Sequence, residues 1–135
     1  MAGKIVLDTL EHSTAGSVTT DYVVNGSAKS WANITGINTI SLDNSLNVST
    51  LTDEGTGNYK WAFTSSMADT NSSFIGQTET RSGSTVGVFG IHSISANQAD
   101  DAILTGSVEC RIVKPTGEGV ADRNPVCMVV HGDLA

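Results

Sequence analysis

Positive charge is scarce in this sequence. Its 135 residues carry seven Lys and Arg against fourteen Asp and Glu, a net charge of −7, and the seven cations are scattered along the chain. A sequence-independent grip on nucleic acid needs several clustered cations to displace counterions. Nucleic acid is therefore excluded as a partner, and an anionic membrane surface is disfavoured for the same reason. No apolar run approaches the ~18 residues of a membrane-spanning helix, so no membrane insertion is expected. The opening stretch "MAGKIVLDTL" has one Lys, and Asp8 and Glu11 interrupt any hydrophobic region. It does not read as a signal peptide, and synthesis in a cytosol, with exit by a route such as host lysis, is the expectation.

Chemical constellations are missing as well. His12, His92 and His131 lie far apart, and none has metal-ligand spacing with Cys or another His. Asp100 and Asp101 are adjacent; in a strand they point to opposite faces, whereas a glycosidase needs two carboxylates facing each other across a sugar. No G-x-S-x-G elbow and no phosphate-binding glycine loop feeds a helix. "DEGTGN" (53–58) lacks the Asp spacing and terminal Glu of a calcium-binding EF-hand loop. No catalytic, cofactor-binding or metal-binding residue is assigned, no cofactor is expected, and the chain does not read as an enzyme.

The two cysteines, Cys110 and Cys127, lie on separate apolar runs. They read as buried free thiols. A disulfide would require those runs to pair as neighbours, and cytosolic synthesis argues against it.

What is present points to β structure. Leu, Ile, Val and Phe number 7, 9, 13 and 3, above the roughly 20% level below which chains stay disordered. β-branched Ile and Val dominate Leu, with Ser, Thr, Asn and Gly between them, and helix formers such as Lys, Glu and Gln are few. Short apolar runs separated by turn residues occur at 4–10, 17–24, 29–36, 40–51, 58–64, 72–81, 84–96, 102–115 and 125–134. No 3.6-residue periodicity is sustained, although "NQADDA" (97–102) could hold a helical turn. The expected fold is all-β: an antiparallel β-sandwich or jelly-roll-like barrel of about eight strands, with an extended N-terminal arm. Residues 1–28, poor in bulky side chains, form that arm and serve anchoring or intersubunit contact; residues 29–135 form the sandwich.

The densest pattern lies at 45–67, "SLNVSTLTDEGTGNYKWAFTSSM". Leu46 and Val48 share a face and Leu51 breaks the phase, which predicts a bulge or strand end near Thr50. "TDEGTGN" predicts a hairpin loop longer than two residues. Tyr59, Trp61 and Phe63 occupy every second position of the following run and therefore project from one strand face. Rings so placed form either a core or a sugar-stacking platform. Core is favoured, because Asp53 and Glu54 sit at the loop end and not beside all three rings.

"KSWANITG" (29–36) followed by residues 45–76 resembles a module of tailed bacteriophages, especially those of marine and cyanobacterial hosts. Lys29, Trp31, Gly36, Asn47, Val48, Asp53, Gly55, Gly57, Tyr59, Phe63, Met67, Asp69 and Asn71 fall on its pattern. The likeness covers residues 16–76 and departs at Ala32, Asn33 and Ala68. It implies a virion structural protein, tail-associated and fibre-like, without catalytic activity. It further implies a homo-oligomer, a trimer by analogy with fibres, that contacts other virion proteins and sits in the virion after assembly in the host cytoplasm. Exposed Ser, Thr, Asn and Asp offer hydrogen bonds to a host surface glycan. The alternatives are a capsid decoration protein and a glycan-binding or glycan-degrading module.

Overall fold

The computed structural model describes Gly3 and residues 5–78, 88–91, 103–114 and 119–135. Its centre is a sandwich of two four-stranded antiparallel sheets. Sheet 1 runs β4 (Ser41–Leu46), β3 (Ser30–Thr35), β10 (Val126–His131), β7 (Ser73–Thr78). Sheet 2 runs β5 (Val48–Asp53), β6 (Asn58–Phe63), β9 (Ser107–Val113), β8 (Val88–Ile91). A separate hairpin, β1 (Thr9–His12) with β2 (Gly16–Thr19), and one short helix, α1 (Thr20–Gly26), precede the sandwich. The expected all-β sandwich is what forms. Among the described residues no helix is long and apolar enough to cross a membrane.

Period-two alternation builds the core. On β6, Tyr59, Trp61 and Phe63 are buried while Asn58, Lys60 and Ala62 are half-buried on the other face. On β9 the inward set is Val108, Cys110 and Ile112, on β3 Ala32 and Ile34, and on β10 Val126, Met128 and Val130. These side chains and Met67 form one cluster, with Ile40, Val48, Leu51, Phe74 and Ile103 packed around it.

The chain crosses from sheet 1 to sheet 2 through one residue, Asn47, held at a positive φ of 55°. Asn tolerates that conformation better than other side-chain-bearing residues. Its amide also takes over the pairing lost at the corner: Oδ1 accepts from Ser65 N (2.7 Å) and Nδ2 donates to Ser65 O (3.0 Å). Leu46 and Val48, expected to share one face, end and begin strands of different sheets, Leu46 exposed and Val48 against the core; the predicted irregularity is present, because the β5–β6 register shifts between Val48 and Thr50. The predicted long hairpin loop spans 54–57.

Two expectations at the N-terminus are corrected. The strand expected over 4–10 begins only at Thr9, and the strand expected over 17–24 stops at Thr19 and becomes α1. Tyr22, Val23 and Val24 are consecutive, so they cannot all face one side of a strand. Asp21 in the first turn favours helix by charge–dipole attraction, and Lys29 Nζ donates to Val24 O at its end. The arm is thus a hairpin and a helix rather than an extended segment. The helical turn considered for 97–102 lies outside the described residues.

Candidate functional site

The aromatic ladder is core and not a platform. Tyr59, Trp61 and Phe63 are 0%, 1% and 7% exposed. Trp61 Nε1 meets no hydrogen-bond acceptor among the described residues, so the indole serves as bulk. The Tyr59 hydroxyl shares its proton between Gly36 O (2.7 Å) and Asp122 Oδ1 (3.2 Å), and the same carboxylate oxygen accepts from Gly57 N (2.7 Å). Burial, then the nearby Asp122 charge, holds the phenol well above its ordinary pKa, so it acts as a fixed donor. The knot admits no side chain at two points. A Cβ on Gly36 would stand 2.5 Å from Tyr59 Oη, and one on Gly57, whose φ is +66°, would stand 2.8 Å from Ala121 N. This constellation ties loops together.

The other flagged residues are used in turns or kept apart. His12 Nδ1 accepts from Ala15 N (3.1 Å) and Thr14 N (3.3 Å) inside the β1–β2 turn. His131 ends β10 on the outer face of sheet 1. His92, Asp100 and Asp101 lie outside the described residues. Asp53 Oδ1 accepts from Gly55 N (2.9 Å) within its own loop, and Asp69 does the same for Asn71 N (2.8 Å). Among the described residues no group of three or more His, Cys, Asp or Glu could hold a metal ion.

Cys110 and Cys127 are free thiols on strands of opposite sheets, Cys110 facing the core and Cys127 facing outward. Cys127 is half-buried rather than buried. Burial pushes the Cys110 thiol up to about 12 and raises that of Cys127 as well, the reverse of what a nucleophilic thiolate needs.

What remains is a surface that only strand register assembles. Trp31 lies opposite Leu46 on one side and Val129 on the other, and Val129 lies opposite Ile75. Directly paired residues share a face. Leu46, Trp31, Val129 and Ile75 therefore form one apolar row across the outer face of all four strands of sheet 1, about 14 Å long at ~4.8 Å per strand. Ile75 is 64% and Leu46 47% exposed. One step along, Asn44, Asn33, Cys127 and Gln77 form a parallel row of amides and one thiol. Beyond Leu46 the row opens into a recess of about 480 Å³ lined by Ala28, Lys29, Asn47, Thr64 and Leu134, among others.

The outer face of sheet 2 is different. Its corresponding row reads Thr52, Lys60, Glu109, and Lys60 Nζ lies 2.9 Å from Glu109 Oε1. Polar-out is the ordinary pattern for a solvated sandwich face; the apolar row on sheet 1 is the departure.

A second apolar surface lies on the arm. Ile5, Val6, Tyr22 and Val24 are 84%, 76%, 75% and 58% exposed, and Leu7, Leu10, Val18 and Val23 are exposed too. No residue from 5 to 26 is buried.

On β3, Trp31 points to the face opposite Ala32 and Ile34. The available signal was the phase: the largest side chain of the strand sits on the face that Ala32 and Ile34 leave to solvent. Its partners Leu46, Ile75 and Val129 are dispersed over the sequence and carry no mark of their meeting. Comparison with protein-family models, curated proteins and solved structures finds no match.

Proposed function

We propose that this chain is a bacteriophage virion structural protein, tail-associated and fibre-like, without catalytic activity. It works as a homo-oligomer, three-fold by first expectation, among other virion proteins. The observation that carries the reading is the pair of uncovered apolar surfaces, the sheet 1 row and the arm. Extended apolar exposure marks surfaces that partners cover, and a particle subunit is covered on several sides.

The residues that carry the phage-module resemblance also support a scaffold. Tyr59, Phe63 and Met67 fill the core, Gly36 and Gly57 admit the Tyr59 knot, and Asn47, Asp53 and Asp69 hold corners and turns. All of these are jobs of shape.

Locating the chain in a cryo-EM map of the virion, with its copy number from quantified gel bands, tests the reading. Tens of copies at the tail are expected. Hundreds on the head would favour capsid decoration, a reading supported by the lack of any coiled-coil or β-helical shaft among the described residues. Absence from particles would overturn both. Release of reducing ends from host polysaccharide would overturn the non-catalytic assignment.

A further inference from the structure

We propose that the arm of one copy docks on the outer face of sheet 1 of the next, covering the Leu46–Trp31–Val129–Ile75 row. The inference rests on the homo-oligomeric part of the reading above and names the two surfaces that make the contact.

Both arm elements have form without the burial that stabilises form. An isolated two-stranded hairpin is marginal in water, and β1–β2 has no buried residue. A lone helix shorter than ~12 residues is marginal as well. The helix α1 has seven residues, no side-chain N-cap bond and no buried position. Each needs a surface to lie on.

The two surfaces match in kind. Eight apolar residues of the arm are 39–84% exposed, and Leu46 and Ile75 of the row are 47% and 64% exposed, so a contact between them takes apolar surface on both sides out of water. The receiving surface is the row, widened by the recess that continues it past Leu46.

Within one chain the arm leaves the row uncovered, with Leu46 and Ile75 exposed. In its own chain α1 rests on β2, and the arm joins the sandwich at Lys29, whose N–H is bonded to Val130 O. Trp31 is the second residue of β3, so arm exit and receiving row lie at the same end of sheet 1. Each copy then gives an arm and receives one. Such a head-to-tail contact closes as a ring when the rotation per copy allows.

The test uses the full-length chain. Cys127 stands on the receiving face two residues from Val129, and Cys110 is buried. In the Tyr22→Cys variant a short bis-maleimide is expected to link the introduced arm thiol of one copy to Cys127 of another, giving a covalent ladder that Cys127→Ser abolishes. Products confined to the monomer, or a ladder indifferent to Cys127→Ser, overturn the docking. Separately, Ile75→Lys is expected to reduce the mass measured by light scattering to that of the monomer, while its thermal midpoint equals that of wild type at a concentration where both are dissociated. A wild type that is oligomeric but unmoved by Ile75→Lys overturns the docking alone. A wild type monomeric at tens of micromolar overturns the homo-oligomer reading with it. Binding of a bacterial surface glycan that Trp31→Ala abolishes would assign the row to sugar and overturn the inference.

Discussion

The chain's two tyrosines mark its two regions. Tyr59 is fully buried in the sandwich, its hydroxyl bonded to Gly36 O and Asp122. Tyr22, on the arm helix, is 75% exposed. Each has apolar company close by, Trp61 and Phe63 in one case, Val23 and Val24 in the other. The difference is spacing. Apolar residues at i, i+2 and i+4 give a strand one committed face, which a second sheet can cover. Three in succession commit to no face of a strand, and on a two-turn helix they wrap most of the circumference. The sandwich buries its aromatic ladder by itself; the arm leaves its apolar residues exposed.

Three measurements sharpen or break that contrast, the largest effect first. Trp61→Ala should cost about 3–5 kcal/mol, since it empties the middle of the ladder and the closed sandwich cannot collapse around the gap. Urea unfolding followed by circular dichroism reads this directly. A loss below about 1 kcal/mol would mean that the ladder is not the core.

Alkaline titration comes next. Cys110 has a folded-state pKa of about 12 against an ordinary 9.0. Because the neutral thiol is the form the core accepts, its contribution is intact below pH 9 and is lost as pH rises from 9 toward 12. The slope attributable to it is at most about 1.4 kcal/mol per pH unit. Tyr59 is shifted in the same direction and adds to the loss at higher pH. The Cys110→Ala variant should show a shallower decline over pH 9–11 than wild type. An identical slope would remove Cys110 from the account.

The smallest effect belongs to the arm. The pair Tyr22→Ser and Val24→Ser should change the unfolding free energy of the sandwich by no more than about 0.5 kcal/mol, as exposed substitutions do, measured at a concentration where the protein is dissociated. A larger loss would show that the arm packs on its own sandwich and would erase the distinction between the regions.

Legibility in the sequence follows the same division. The strands with clean alternation, β3, β6, β9 and β10, were readable because a period of two is a local property of consecutive residues. So were the long hairpin loop at 54–57 and the bulge at β5. The arm departs from the strands expected there because its β-branched residues carry strand propensity, which yields to context. The candidate surface was unreadable in principle from any one segment. Trp31 revealed its parity, but a row needs neighbours, and Leu46, Ile75 and Val129 become neighbours only through three separate pairings.

Composition and spacing by themselves therefore determined the β class, the identity of the core ladder and the positions of most turns, since each depends on residues within a few places of one another. Tertiary structure alone decided that two cysteines face opposite ways on opposite sheets, that Tyr59 closes a knot with Gly36 and Asp122, and that one outer face carries an apolar row while the other carries the Lys60–Glu109 ion pair. Those outcomes depend on which strands lie side by side, and strand order is set by the closure of the whole sandwich rather than by any single run of residues.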